Sequence, residues 1–141
     1  MNSAVSPRLA NRATWQLSQV SARSHRVLHG HLAQAGVSGY DYRILAALGD
    51  CGPLSQADLG RATVLDRRDV TDTVRDLQGR ELVTRRPDPR DSRRMLVELT
   101  TAGSSMLERL DLVLDEVQTE VFAGLTAAQR RTLLNLLKQL A

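Results

Sequence analysis

The 141-residue sequence predicts a mainly helical fold with one small β-hairpin. Apolar residues recur at three- and four-residue spacing over most of the chain, and small polar residues stand where caps belong, just ahead of most periodic stretches. The clear departure from that period is the segment 81–103, ELVTRRPDPRDSRRMLVELTTAG. There Leu82, Val83 and Thr84 suit a pleated surface, and Met95, Val97 and Leu99 alternate on one face. The proline- and aspartate-rich stretch between them is a turn.

Taken in order, residues 8–34 carry Leu9, Ala13, Leu17, Val20, Val27 and Leu28 at mixed three-, four- and seven-residue spacings, which predicts one long helix ended by Gly36. Ser38 with Asp41 has capping-box spacing and opens a helix through Ile44, Leu45 and Leu48 that stops within residues 49–52. Ser55 with Asp58 repeats the spacing for a short helix. Asp66 with Asp69 opens another, with Val70, Val74 and Leu77 on one face and Gly79 near its end. Two short helices separated by about four residues have the spacing of a helix-turn-helix. A strand over 81–86, stopped by Pro87 and Pro89, and a second over 95–99 make the hairpin, and Arg85, Arg86, Arg90, Arg93 and Arg94 crowd its tip. Residues 101–125, with Met106, Leu110, Val113, Leu114, Val117 and Val121 in a three-four pattern, predict a long helix ending near Gly124. Thr126 with Gln129 caps a last helix whose Leu133, Leu134, Leu136, Leu137 and Leu140 cover more than one face, which points to a second subunit. Nothing resembling a linker or repeat divides the chain, so residues 1–141 read as a single domain.

Composition narrows the function. At 42% hydrophobic and 25% charged residues the chain belongs with soluble globular proteins. No apolar run approaches the roughly eighteen residues of a membrane span, and the first residues lack the apolar stretch of a signal peptide, so no membrane partner and a cytoplasmic location are expected. Cys51 is the single cysteine, which leaves no intrachain disulfide. Aromatic residues are 3%, and Trp15, Tyr40, Tyr42 and Phe122 are scattered outside the hairpin, so a stacking platform for single strands is excluded and a duplex is not. No nucleophile elbow, Walker loop or dinucleotide-binding glycine pattern supports enzymatic activity, and no cofactor is expected. The net charge of +3 hides an asymmetry: residues 1–37 sum to +4 through Arg8, Arg12, Arg23 and Arg26, and residues 101–125 sum to −4. These two segments are expected to attract each other.

A helix-turn-helix followed by a basic hairpin is the winged-helix arrangement, in which the second helix reads the major groove and the wing reaches into a minor groove. Arg67, Arg68, Thr71, Asp72, Thr73 and Arg75 are expected to project from the face opposite Val70, Val74 and Leu77. Ser55 and Gln56, at the start of the preceding helix, are placed for phosphate. Arg86, Arg90, Arg93 and Arg94, with Asp91 among them, are the candidate contacts of the wing to double-stranded DNA.

With those residues in view, the chain resembles the MarR family of bacterial winged-helix transcription regulators over nearly its whole length. The family pattern in the wing runs D-R-R-x-x-x-V-x-L-T-x-x-G, and Asp91, Arg93, Val97, Leu99, Thr100 and Gly103 fall on it after a family-like LVTRRPDP. Ser92 departs from the pattern, leaving its phosphate contact to Arg90 or Arg94; the stretch GYDYRILAAL also looks like the family's second helix. The resemblance implies that Arg93 enters a minor groove while Asp91 orients it by a salt bridge. It implies a homodimer, with dimerisation by residues 1–37 and 101–141 and DNA binding by residues 38–100. The operator is then a pseudo-palindrome with half-sites roughly 34 Å apart. It further implies a repressor released by a small phenol or aromatic carboxylate. For that effector the candidates are Arg8, Arg12, Trp15, Gln19, Arg23, His25, Tyr40 and Tyr42, because a guanidinium fork suits a carboxylate. The alternative for the arginines is pairing with the acidic helix. A redox regulator using Cys51, a metal-responsive one using His25 and His29 at i,i+4, and a protein-interaction module are the alternatives for the whole; no metal ion is expected, since two histidines fall short of a ligand set.

Overall fold

The computed structural model describes residues 4–141. Residues 1–3, the first of the segment assigned to dimerisation, lie outside the described residues. The elements run α1 (Pro7–Ala10), α2 (Ala13–Gln34), α3 (Gly39–Cys51), β1 (Leu54–Ser55), α4 (Gln56–Thr63), α5 (Arg67–Gly79), β2 (Val83–Asp88), β3 (Asp91–Leu99), α6 (Thr101–Val121) and α7 (Ala127–Leu140). They form two compact units: Leu32–Val113, and the residues up to His31 together with Leu114–Ala141. No helix among the described residues is long and apolar enough to cross a membrane.

In the unit Leu32–Val113, local signals start each helix. Ser38 and Asp41 form a reciprocal capping box on α3, with the Asp41 N–H donating to Ser38 Oγ at 3.1 Å and the Ser38 N–H to Asp41 Oδ2 at 2.9 Å. Ser55 caps α4 and Asp66 caps α5. Between them α4 closes on Val64 in the left-handed region (φ 55°, ψ 44°), which makes the turn one residue tighter than expected. A β-branched residue pays roughly 1–2 kcal/mol for that conformation, yet Val64 is 87% exposed and gains no burial in return. The core is Ile44, Leu45 and Leu48 of α3, Leu59 of α4, Val70, Val74 and Leu77 of α5, Val83 of β2 and Val97 of β3. Burying each such side chain contributes about 1.5–3 kcal/mol, so the helix-turn-helix is held by its apolar faces rather than by its caps.

The hairpin differs from expectation in four ways, the first being that β3 begins at Asp91, four residues ahead of the expected strand over 95–99. Pro87 lies inside β2 instead of stopping it, paired with Met95 beside a register shift at Pro87/Asp88. The sheet order β1–β3–β2 makes β2 an edge strand, where a proline removes no ladder bond. Next, β2 begins at Val83 because Glu81 adopts φ 61° and the Leu82 N–H turns back to the Leu77 carbonyl. Finally, β1 escaped the sequence reading: it is two residues long and exists only through pairing with β3, Leu54 opposite Val97 and Ser55 opposite Leu96. The alternating face of β3 is buried at Val97 but exposed at Met95, which lies toward the tip, beyond the core.

In the other unit the expected single first helix is broken. Asn11 (φ −91°, ψ 8°) ends α1, and the Ala10 carbonyl accepts Gln16 Nε2 at 2.9 Å in place of a helical N–H. At the far end α6 stops at Val121, short of Gly124, and Thr126 with Gln129 forms the expected capping box of α7. The basic and acidic segments meet, but not as arginine–carboxylate pairs. Arg23 donates to the Val121 carbonyl at 2.9 Å and the Glu120 carbonyl at 3.2 Å, capping the negative end of α6. His31 Nε2 lies 2.7 Å from Glu120 Oε2. Arg8, Arg12 and Arg26 meet no carboxylate among the described residues. Leu9 of α1, Leu17 and Val20 of α2, and Leu134, Leu136, Leu137 and Leu140 of α7 are exposed, and α7 buries none of its residues.

Candidate nucleic-acid interface

Packing decides which polar residues of α5 face outward. Val70, Val74 and Leu77 turn inward, so Arg67, Arg68, Asp72 and Arg75 are exposed and Thr71 is half-buried at the rim. Asp72 lies 4.0 Å from both Arg68 Nε and Arg75 Nη1, exposed pairs that hold little energy and yield readily to a stronger anion. Thr73 corrects the expectation: it is buried, three residues from Val70 and four from Leu77, and so shares the core stripe despite its hydroxyl. Ser55 is also buried. Its Oγ accepts the Asp58 N–H at 3.2 Å and donates to Asp58 Oδ2 at 3.0 Å, so its side chain is committed to the cap and not free for phosphate. Gln56 remains at the surface, its Oε1 3.1 Å from Thr71 Oγ1, whose single proton it shares with the Arg67 carbonyl at 2.9 Å. Gln56, Ala57 and Arg67 line a cleft of about 380 Å³ between the starts of α4 and α5.

At the wing, Asp91 Oδ1 accepts both the backbone N–H of Arg93 at 3.0 Å and its Nε at 3.2 Å. The Arg93 side chain and then its backbone bond hold the Asp91 carboxyl below the usual carboxylate range, while Arg93 itself stays 89% exposed. Asp91 and Arg93 are thus in direct contact at the wing tip. Among the described residues the Arg90 guanidinium meets no partner, while its backbone N–H donates to Asp88 Oδ1 at 2.9 Å. Arg86 is paired across the sheet with Glu98 at 3.0 Å. Arg94 reaches Asp58 Oδ2 at 3.1 Å. Between wing and α4 opens a cleft of about 540 Å³ whose walls alternate in charge, Asp58, Asp88 and Asp91 against Arg86, Arg90 and Arg94. Asp58 was legible only as a helix cap; its part in the wing needed a contact 36 residues away.

The effector candidates are not gathered at one place within either unit. Arg8, Arg12, Trp15, Gln19, Arg23 and His25 belong to one unit, Tyr40 and Tyr42 to the other. Trp15 is half-buried; Arg8, Arg12, Gln19 and His25 are exposed. Tyr42 donates to Asp111 Oδ1 at 2.9 Å, and the Arg43 guanidinium sits 5.8 Å from the Tyr40 ring centre. An apolar cleft of about 510 Å³ that the sequence did not reveal lies in the first of these units, lined by Leu17, Val20, Arg23, Val121, Phe122 and Leu125. The His25 and His29 rings stack at 6.5 Å, and among the described residues no cluster of three or more His, Cys, Asp or Glu is placed to hold a metal ion. Cys51 is exposed at the end of α3.

Comparison with known proteins places this arrangement. A family model described as the MarR family matches residues 35–94. The HTH-type transcriptional repressor NicR of Pseudomonas putida is 38% identical over 96 residues, which cover 68% of this chain and 61% of NicR. The chain spans under two thirds of the length of NicR and of two other curated relatives, at 61%, 66% and 63%. Among solved structures, a probable transcriptional regulator from Pseudomonas aeruginosa superposes with a TM-score of 0.83 at 32% identity, covering 94% of this chain and 99% of that one. Bordetella bronchiseptica BpsR, whose DNA binding is regulated by 6-hydroxynicotinic acid, superposes with a TM-score of 0.84 at 25% identity, covering 93% of this chain and 94% of that one.

Proposed function

Since the chain belongs to the MarR family, a family of transcription regulators and not of enzymes, we propose that it is a homodimeric repressor of transcription. It binds a pseudo-palindromic double-stranded operator in the cytoplasm and releases it when a small aromatic acid or phenol binds. The observation that carries the DNA reading is an exposed cationic helix face beside a hairpin tipped by a pre-oriented arginine. In this reading α5 enters the major groove with Arg67, Arg68, Thr71 and Arg75, flanked by Gln56 of α4. Arg93, aimed by Asp91, enters a minor groove, and Arg90 meets the adjoining phosphates.

The open apolar residues of α1, α2 and α7 support self-association through residues 1–37 and 101–141, leaving 38–100 to DNA. A selection from a randomised duplex pool tests both parts together. Inverted repeats with centres about 34 Å apart are the expected product. Single half-sites, or no enrichment, contradict the dimeric operator reading.

The regulation of BpsR by 6-hydroxynicotinic acid, a hydroxylated aromatic acid, supports an effector of that class. Arg8, Arg12, Trp15, Gln19, His25, Tyr40 and Tyr42 are its candidate contacts; Arg23 is a weaker one, because carbonyls of α6 already hold its guanidinium. A thermal-shift screen of 6-hydroxynicotinate, benzoate, hydroxybenzoate and catechol is expected to give a hit that also dissociates the selected duplex. At a hundredfold excess over Kd such a ligand adds about 2.7 kcal/mol to the stability of the native state. Absence of any shift across the set removes the aromatic effector from the proposal.

A further inference from the structure

Arg94 stands among the wing arginines, yet its guanidinium is turned away from the tip and onto α4. Its Nη2 lies 3.1 Å from Asp58 Oδ2. That carboxylate accepts three side-chain donors: Oδ1 accepts Arg61, and Oδ2 accepts both the Ser55 hydroxyl at 3.0 Å and Arg94. The Arg61 bond and then the Ser55 bond hold Asp58 below the usual carboxylate range, so it stays ionised wherever the protein is folded near neutral pH. Backbone pairing between β1 and β3 ends at Ser55 opposite Leu96, so the stretch of β3 from Asp91 to Met95 runs beyond the reach of β1. Its other partner, β2, belongs to the same hairpin and moves with it. Among the described residues, no other hydrogen bond or ion pair joins that outer part of the wing to a helix.

We propose that Asp58 is a positioning residue for DNA recognition: through Arg94 it sets the reach of the wing from α4, and with it the separation between Arg93 and the groove-facing side of α5. The proposal rests on the DNA-binding reading above, and it moves Arg94 from phosphate contact to anchor. A two-stranded wing that swings freely loses conformational entropy when Arg93 enters a groove; one tied at Arg94 has lost much of that freedom already on folding.

The sign of one substitution separates the anchor from plain electrostatics. Asp58→Asn removes a negative charge from a surface that faces phosphate, so charge alone demands tighter binding. The anchor demands weaker binding. Anisotropy titrations of the full chain, with the fluorescent duplex selected by the wild-type protein, give the comparison across salt concentrations. D58N and R94A are each expected to weaken binding about three- to fivefold, and the double variant is expected to bind no more weakly than either single variant. R94A is also expected to keep the wild-type salt slope. R94K, which retains a cation for Asp58, is expected to recover part of the loss. Tighter binding by D58N, losses in the double variant that multiply, or a slope shallower by about 0.9 per wing in R94A overturn the anchor. Since R94A leaves the α4 cap intact, it carries the test on its own if D58N folds poorly. A flat salt profile for the wild-type protein strikes at the DNA reading itself, whereas wild-type binding with any of those variant results removes only the anchor.

Discussion

Between 50 and 200 mM salt, the affinity of the protein for its selected duplex is expected to fall about a thousand- to a hundred-thousand-fold. In the proposed reading Arg67, Arg68, Arg75, Arg90 and Arg93 in two copies bring roughly ten guanidiniums into the grooves and along the backbone of the duplex, and each phosphate charge they neutralise adds about −0.9 to the logarithmic slope. Arg93→Ala should stand out within that background. Its side chain is 89% exposed and, among the described residues, bonded only to Asp91, so its removal is expected to leave the fold and self-association intact. Operator affinity should nonetheless drop about ten- to a hundredfold, with a slope shallower by about 0.9 per wing. Titration of both proteins over that salt range, with analytical ultracentrifugation to confirm the dimer, decides the matter. Unchanged affinity in the variant means that the tip of the wing is not where the duplex is held.

Gly103→Ala is expected to be the most damaging small substitution for the fold. A methyl group at Gly103 would lie inside the contact radius of the Leu82 carbonyl oxygen, and 3.2 Å from Leu99 Cδ2. The Leu99 side chain can shift, but the Leu82 carbonyl is backbone and does not give way easily. The Leu82 oxygen already accepts the Thr100 N–H at 3.1 Å, and Thr100 Oγ1 donates to the Glu81 carbonyl at 2.7 Å while accepting the Gly103 N–H at 3.0 Å. The first turn of α6 is thus docked onto the backbone that turns from α5 into β2. Parting the two should cost about 3 kcal/mol, the upper end for an overpacked interior. That corresponds to a fall in Tm of about 10 °C for a chain of this size, readable by circular dichroism. A Tm within a degree or two of the wild type would show that the α6 contact is far softer than its geometry implies.

Much of this molecule was readable from local sequence because its signals are local. Ser38, Ser55, Asp66 and Thr126 each accept an N–H three residues on in the structure, since a cap needs nothing outside its own turn. Helical periodicity likewise marked Val70, Val74 and Leu77 as the inward face of α5. The misreadings lie where a longer-range contact overrides composition. Thr73 reads as polar and is core; Ser55 reads as a phosphate ligand and is consumed by its own helix; Pro87 reads as a strand stop and sits in an edge strand. The break at Asn11 has no signal in the periodicity, because a side chain, Gln16, supplies the bond that a continuous helix would have made.

Local sequence carries the order of the helices from α3 onward with the hairpin among them, the family motif from Asp91 to Gly103, and the arginines available to an anion. Each follows from neighbours within a few positions, where capping, periodicity and turn chemistry act. Packing then selects which of those arginines stay open to solvent among the described residues. Arg93 and Arg90 remain open at the tip, while Arg86 is paired with Glu98, Arg94 is drawn to Asp58 and Arg23 is spent on the end of α6. The physical reason is that a guanidinium goes to the acceptors that folding brings near it, and pairings such as 23 with 121 or 58 with 94 exist only once the chain has packed.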